Sequence, residues 1–343
     1  MKNITKVGLS ALAGALAITS VNAGEMTISG SMEASYTKGS GYLTTGNPLG
    51  MDKELSVTGS GELDNGTTVS YKQTITDAMA FNDSELVFGN VLGMADVALT
   101  STGSPISAID DVTPTAFEEA NALIGSIDDV NGMDGTYGIR VTMADVMGSG
   151  FKVDAMYTPD VGSGDAQGDN STSGETGGTS GDGSEITITG SVPMVEGLDV
   201  GVGYFTQDTE SDNQAILTGN FGQDEGTAYI KYSTGPVSVG YQRGVVSIDT
   251  ATTTAGSNYN TTYDNEMIGI SYKISDDLSV SYNELESRKS QRGTDVDQEF
   301  ESFSLSYSMG GMTIGIADAD VSNSSYTTGR SQEETSVSLS IAF

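Results

Sequence analysis

Apolar and polar residues alternate along most of this chain. Residues 185–192 read Glu-Ile-Thr-Ile-Thr-Gly-Ser-Val, residues 302–307 read Ser-Phe-Ser-Leu-Ser-Tyr, and residues 336–343 read Ser-Val-Ser-Leu-Ser-Ile-Ala-Phe. Successive side chains of a strand point to opposite faces, so each segment predicts a strand with one apolar face and one polar face.

The same pattern predicts sixteen strands. Segment 213–221 is left in a loop, because single-chain bacterial barrels have an even number of antiparallel strands. The predicted strands lie near residues 25–38, 51–62, 67–77, 83–90, 93–101, 135–145, 150–158, 184–194, 198–207, 226–234, 236–249, 263–274, 277–288, 297–309, 311–321 and 333–343.

The connections between these strands alternate between short and long. Gly, Asn and Asp mark short turns, for example at 63–66, 195–197 and 310–311, whereas 163–183 and 250–262 are long. A soluble β-sandwich gives no reason for this sorting, but membrane barrels have short turns at one end and longer loops at the other. The pattern therefore predicts an all-β, transmembrane, antiparallel up-and-down β-barrel of about sixteen strands, wide enough for a water-filled channel.

The first residues read as an export signal. Lys2 and Lys6 precede an apolar stretch at 7–18, and Ala23 ends a short segment suited to cleavage. That apolar stretch is too short to span ~30 Å of hydrocarbon, so a retained anchor is disfavoured. We expect a signal peptide at 1–23 and a barrel at 24–343. Removing residues 1–23 removes two lysines and changes the formal net charge from −33 to −35.

Composition excludes several function classes. The chain has no Cys and no His, which removes disulfides, thiol metal sites and the usual general base. So acidic a chain should not bind nucleic acid, whereas it attracts cations. We therefore expect no enzyme and no cofactor.

The export signal, the alternating strands and the terminal Ser-Leu-Ser-Ile-Ala-Phe resemble Gram-negative general porins, as does the hairpin pattern at 228–241. This resemblance implies a sixteen-stranded homotrimer in the outer membrane, in contact with lipid and lipopolysaccharide. It also implies that Phe343 is read by the barrel-assembly machinery.

One long connection, at 101–134, is the third of the long loops and contains no Lys or Arg. In general porins the third loop folds into the channel, so the resemblance implies an inward-folded constriction loop here. A ring of carboxylates in a narrow pore favours cations. The alternative is a solvated outer loop. A short helix is expected at 117–127. The acidic residues of this loop are Asp110, Asp111, Glu118, Glu119, Asp128 and Asp129.

General porins set basic wall residues against this acidic loop. By alternation, Lys72, Arg140 and Lys152 point into the predicted lumen. The alternative is that they face the lumen away from the constriction. The chain has few such cations, so we expect a weak transverse field.

The Gly- and Asp-rich segment 162–183 reads as an external loop. Asp165, Asp169 and Asp182 supply oxygen ligands that suit weak divalent-cation binding, with lipopolysaccharide bridging as one use. No known loop motif is present.

Together these features predict passive diffusion of ions and small hydrophilic solutes through a cation-preferring channel. The rival interpretation is a secreted acidic β-rich adhesin or surface-layer protein. Solubility without detergent would favour that rival, although no fixed-period repeat is present.

Overall fold

The computed structural model describes residues 25–42, 46–76, 81–117, 120, 127, 129–133, 137–159, 181–208, 219–251 and 259–343. Sixteen strands lie within these ranges. They are β1 Met26–Gly41, β2 Leu49–Glu62, β3 Thr68–Thr76, β4 Phe81–Val91, β5 Ala95–Thr100, β6 Gly138–Met143, β7 Phe151–Thr158, β8 Gly183–Ser191, β9 Leu198–Asp208, β10 Gly219–Thr234, β11 Val237–Ala251, β12 Tyr259–Lys273, β13 Leu278–Gln291, β14 Thr294–Met309, β15 Met312–Ser322 and β16 Gln332–Ala342.

Each strand pairs antiparallel with the next, and β16 pairs with β1 to close the barrel. The last residue takes part in the closure. Phe343 N–H donates to the Gly30 carbonyl at 2.9 Å, and Gly30 N–H donates to the Phe343 carbonyl at 2.8 Å. The predicted up-and-down barrel of sixteen strands is confirmed.

The two faces of the wall have opposite chemistry. On β14 the inward Ser302 and Ser304 are buried, whereas the outward Phe303 is 54% exposed. Most other large apolar residues of the amphipathic strands are likewise exposed on the outer face, which is the face that lipid covers in a membrane barrel. The alternation seen in the sequence therefore sets the register, because a slip of one residue would turn every apolar side chain inward.

Part of the inner face is apolar, although the alternation predicted one polar face for each strand. Phe205, Val246 and Tyr263 point inward from β9, β11 and β12, and they pack with Ile106 and Val130 of the β5–β6 connection. Phe205 and Ile106 have no exposed surface. The wall is apolar here because a loop, and not water, covers it.

Several strand boundaries differ from the prediction. β13 and β14 continue to a two-residue turn at Arg292 and Gly293, both with positive φ. The prediction ended these strands at 288 and 297, where Arg288 Nε lies 2.6 Å from Asp297 Oδ1, whereas the pairing continues to the turn. β10 begins at Gly219, seven residues before its predicted start, so residues 219–221 of the segment that the even-strand argument left in a loop belong to this strand.

The rest of the described chain is irregular or forms short 3₁₀ turns. These turns lie at 107–109, 146–148 and 324–326. Among the described residues, no helix is both long and apolar enough to cross a membrane. The predicted signal peptide lies outside the described residues, as do 118, 119 and 121–126 of the predicted helix and 162–180 of the predicted external loop.

Candidate functional site: the inner loop

The long connection between β5 and β6 folds against the inside of the barrel. We call residues 101–137 the inner loop. Its described residues hydrogen bond with inward side chains on β8, β10, β11, β12, β13 and β14. The loop therefore follows the inner wall across more than a third of the strands.

Two buried glutamates hold the two stems of this loop. Glu185 accepts hydrogen bonds from Ser104 Oγ at 2.6 Å, Ile106 N–H at 3.1 Å and Met133 N–H at 3.1 Å. It thereby joins the outgoing stem of the loop, which contains Ser104 and Ile106, to the returning stem, which contains Met133.

Glu225 binds only the returning stem. Its Oε2 accepts from Asn131 N–H at 2.7 Å and Gly132 N–H at 2.9 Å. Both glutamates lie on the inward faces of their strands, Glu185 on β8 and Glu225 on β10, and are 3% and 1% exposed.

Amides and hydroxyls of the wall hold the middle of the loop. The Gln242 amide nitrogen donates to the carbonyls of Ile109 and Asp110 at 2.7 and 2.6 Å, and its oxygen accepts from Val112 N–H at 2.9 Å. Asn283 Nδ2 donates to the Pro114 carbonyl at 3.1 Å.

The hydroxyls of Ser281 and Ser304 accept from the N–H groups of Ala116 and Phe117, at 2.9 and 3.2 Å. Backbone groups that would otherwise lie unpaired in the barrel are thus satisfied by the wall.

Inward glycines make room for the loop. A Cβ added at Gly240 would lie 2.5 Å from Pro114 Cδ, and one added at Gly269 would lie 2.9 Å from the Pro114 carbonyl oxygen. A Cβ at Gly315 on β15 would overlap the Phe117 ring. The close approach of loop and wall therefore depends on the absence of side chains at these positions.

Three of the six predicted loop carboxylates are described, and they lie on the inner loop. Asp111 is exposed, whereas Asp110 and Asp129 are half-buried. Asp129 accepts from Val130 N–H at 2.7 Å and Asn265 Nδ2 at 3.0 Å. Burial raises the pKa of Asp129 to about 7, the charges of Asp110 and Asp111 add to the rise, and the two hydrogen bonds oppose it. The remaining three, Glu118, Glu119 and Asp128, lie outside the described residues.

Two of the predicted wall cations are paired with wall carboxylates. Arg140 Nη2 lies 2.7 Å from Glu85 Oε1, and Arg140 Nε lies 3.8 Å from Asp154 Oδ1. Lys152 Nζ lies 3.4 Å from Asp154 Oδ2. Arg140 also donates to the Gly103 carbonyl at 2.8 Å, so it supports the start of the inner loop. Their charges are largely neutralised within the wall.

The third predicted cation, Lys72, is exposed on the inner face of β3, opposite Thr58 and Glu85 in the strand register. Lys72 lies on a part of the inner wall that is otherwise acidic. By alternation with the buried Ser56, Asp52 and Glu54 also point inward from β2. The hydrogen bonds of the inner loop described above join it to β6, β8 and β10 to β14, and in the closed barrel β2 lies opposite β10. The acidic loop and this acidic part of the wall therefore lie on opposite sides of the barrel.

Carboxylates on both sides of the intervening space make the electrostatic potential there negative. Within the described ranges, no group of three acidic side chains is arranged to hold a metal ion. Asp182 is hydrogen bonded to Tyr157, whereas Asp165 and Asp169 lie outside the described residues.

The anchoring residues were missed by sequence reasoning. Glu185 and Glu225 occur at inward positions of amphipathic strands, where Ser, Thr and Gly otherwise predominate. A carboxylate at such a position was the available signal. Phe343, predicted at an outward position, is 76% exposed, and Gly30 leaves space beside its ring.

We expect Arg140→Gln to destabilise the barrel and to increase cation preference. The change removes the cation that pairs with Glu85 and one of the two cations beside the buried Asp154, at a cost of about 1–3 kcal/mol in the free energy of unfolding. Urea unfolding and reversal potential measure the two effects. The matched control is Arg288→Gln, which breaks an exposed outer-face pair with Asp297 and should cost at most about 1 kcal/mol. Equal destabilisation by the two substitutions would contradict the structural role of Arg140.

The sequence profile of Gram-negative porins matches residues 8–325 of the chain. No curated protein matches it by sequence. Solved structures with similar folds include OmpT of Vibrio cholerae, with a TM-score of 0.69 at 10% identity, covering 95% of this chain and 99% of OmpT.

An anion-selective porin from Comamonas acidovorans gives a TM-score of 0.66 at 16% identity, covering 93% of this chain and all of that one. The trimer form of Vibrio cholerae OmpT gives 0.61 at 10% identity, covering 93% and 99%. At these identities, the likeness to solved structures establishes the fold alone.

Proposed function

The chain belongs to the Gram-negative porin family and is a protein of the outer membrane, and on that premise we propose that it forms a cation-preferring channel for passive diffusion of ions and small hydrophilic solutes. The solutes cross without a catalytic step. The absence of His from the sequence supports a channel without enzymatic activity.

The observation that carries the cation preference is the distribution of charge inside the barrel. Asp110, Asp111 and Asp129 lie on the inner loop, and Arg140 and Lys152 are paired with wall carboxylates. Fixed negative charge beside a narrow aqueous path raises the local concentration of cations, since low-dielectric walls focus the field. We propose that the six loop acids and the three wall cations together set the selectivity of the constriction.

Selectivity does not follow from the barrel alone. The porin from Comamonas acidovorans is described as anion-selective and has a similar fold at 16% identity. The side chains that line a pore therefore decide which ions it prefers. In this chain those side chains are predominantly acidic.

We propose a homotrimer, which the trimer form of Vibrio cholerae OmpT supports. The outward apolar face suits lipid, and lipopolysaccharide is the expected partner at the level of the acidic loops. We further propose that Phe343 serves as the signal read by the barrel-assembly machinery, because its ring is exposed at the outer face where a partner can reach it.

Swelling of proteoliposomes tests the diffusion function. Liposomes that contain the purified protein should swell in isotonic solutions of small sugars, at rates that fall as the sugar becomes larger. Protein-free liposomes are the control. Absence of swelling from a folded, inserted protein would contradict the channel and would favour an adhesin or surface-layer role.

We expect the cation preference to increase as pH rises through about 7. Asp129 is neutral below its raised pKa and charged above it, so the negative charge of the path increases between about pH 6 and pH 8. Reversal potentials across this pH range measure the increase in cation preference, which we call the pH step. Asp129→Asn should abolish it, whereas Asp111→Asn should lower the preference and leave the step in place. A step that persists in Asp129→Asn would assign it to another group.

A further inference from the structure

The two buried glutamates under the inner loop have a role distinct from ion selectivity. We propose that Glu185 and Glu225 are positioning residues, whose negative charge holds both stems of the loop and thereby fixes the width of the channel. This inference deepens the proposed function and rests on it where channel width is concerned.

The first argument is the number of donors that each carboxylate satisfies. Glu185 accepts three hydrogen bonds from the loop, and it uses both of its oxygens. Glu225 accepts two loop N–H groups with Oε2, while Gln223 Nε2 donates to its Oε1 at 2.5 Å. An ionised carboxylate is an acceptor only, and its bonds to N–H groups are strengthened by its charge. The five donors of the loop thus converge on two charges.

The second argument is their burial. At 3% and 1% exposure, neither glutamate contributes a charge in direct contact with the aqueous path. A buried carboxylate is costly unless hydrogen bonds compensate it, and the loop supplies those bonds. The loop and the glutamates therefore stabilise each other.

The third argument is the geometry of the returning stem. Gly132 has a φ of +58°, which turns its N–H towards Glu225, and a Cβ at this residue would lie 2.8 Å from Glu185 Oε2. The stem is thus enclosed between the two carboxylates, with no space for a side chain. Displacing either glutamate would release the loop at the point where its two ends meet.

Glutamine tests the role of the charge, because it keeps the size of glutamate but replaces one acceptor oxygen with a donor. In Glu185→Gln, the new amide nitrogen must point either at the Met133 N–H or at the two donors of Ser104 and Ile106, so one set of hydrogen bonds is lost. In Glu225→Gln, the outgoing stem keeps its bonds, so this variant is the milder one. The matched control is Glu54→Gln, an exposed inner-face glutamate that accepts from the neighbouring Ser56 at 3.1 Å.

Electron paramagnetic resonance measures the position of the loop without any assay of transport. The sequence has no cysteine, so two engineered cysteines take spin labels specifically. Asp111→Cys labels the loop. Gly59→Cys labels the outer face of β2, where an added Cβ meets open space. The parent pair should give one narrow distance peak. Glu185→Gln in this background should lose that peak in favour of a broad distribution, Glu225→Gln should broaden it less, and Glu54→Gln should leave it unchanged.

Single-channel recordings of the two anchor variants then test the link to channel width. We expect increased open-channel current noise in Glu185→Gln and Glu225→Gln relative to the wild type. A narrow peak at the parent distance in both anchor variants would overturn the proposal, even if their currents changed. Broad distances in a protein whose parent form passes no current would support the positioning role and contradict the channel. If Glu185→Gln does not fold, Glu225→Gln decides the question alone.

Discussion

Replacing Asp110, Asp111 and Asp129 together with asparagine is expected to reduce the cation-to-anion permeability ratio by roughly five-fold or more. Two unit charges 4 Å apart interact by about 1 kcal/mol even in bulk water, and a difference of that size is about a five-fold change in an equilibrium. The reversal potential in a salt gradient measures the ratio, and it should move towards zero.

The matched control for charge is the triple replacement of Glu284, Glu286 and Glu301 with glutamine. These carboxylates alternate with the inward Asn283, Ser287 and Ser302 and therefore point away from the lumen. Replacing them changes the net charge of the protein by the same amount as the triple loop variant, but it should leave the reversal potential near the wild-type value. If both triple variants behaved alike, total charge and not the inner loop would control selectivity.

Gly315→Leu is expected to displace the inner loop from the wall and to lower the single-channel conductance. Gly315 is buried beneath the Phe117 ring, so a leucine side chain must push the loop towards the aqueous path. Overpacking of this kind costs about 1–3 kcal/mol in the free energy of unfolding. Conductance steps and urea unfolding measure the two effects.

A second substitution separates crowding from general damage to the barrel. In Phe117→Ala/Gly315→Leu the leucine occupies space that the ring has vacated, so stability and conductance should recover towards wild type. Gly59→Leu, at an outer-face position with open space around it, should change neither. Additive losses in the double variant would mean that Phe117 and Gly315 do not interact.

The strands could be predicted because each carries its own local signal. In segment 302–307, a strict alternation of serine with large apolar residues specifies both the strand and its outward face. The prediction was least accurate at strand ends that extend beyond the alternating segments, as at residues 219–225 of β10 and 289–291 of β13. Arg288 and Asp297 were both predicted within strands, but their pairing across β13 and β14 is a contact between strands that the pattern within either strand does not show.

The path of the inner loop was harder to predict than the strands. Its length and its acidic residues were visible, and the family resemblance supplied the inward direction. The anchors Glu185, Glu225 and Gln242 come from three different strands, and each lies more than 80 residues from a loop residue that it contacts. The neutralisation of Arg140 likewise depends on Glu85, 55 residues away in the sequence. Such contacts between distant residues have no local periodicity.

Single-channel conductance of the purified protein in a planar lipid bilayer tests the central claim most directly. A water-filled barrel narrowed by a fixed inner loop should give stable, ohmic current steps, and a homotrimer should give them in groups of three. Protein that stays folded and soluble without detergent and produces no current steps would contradict the account.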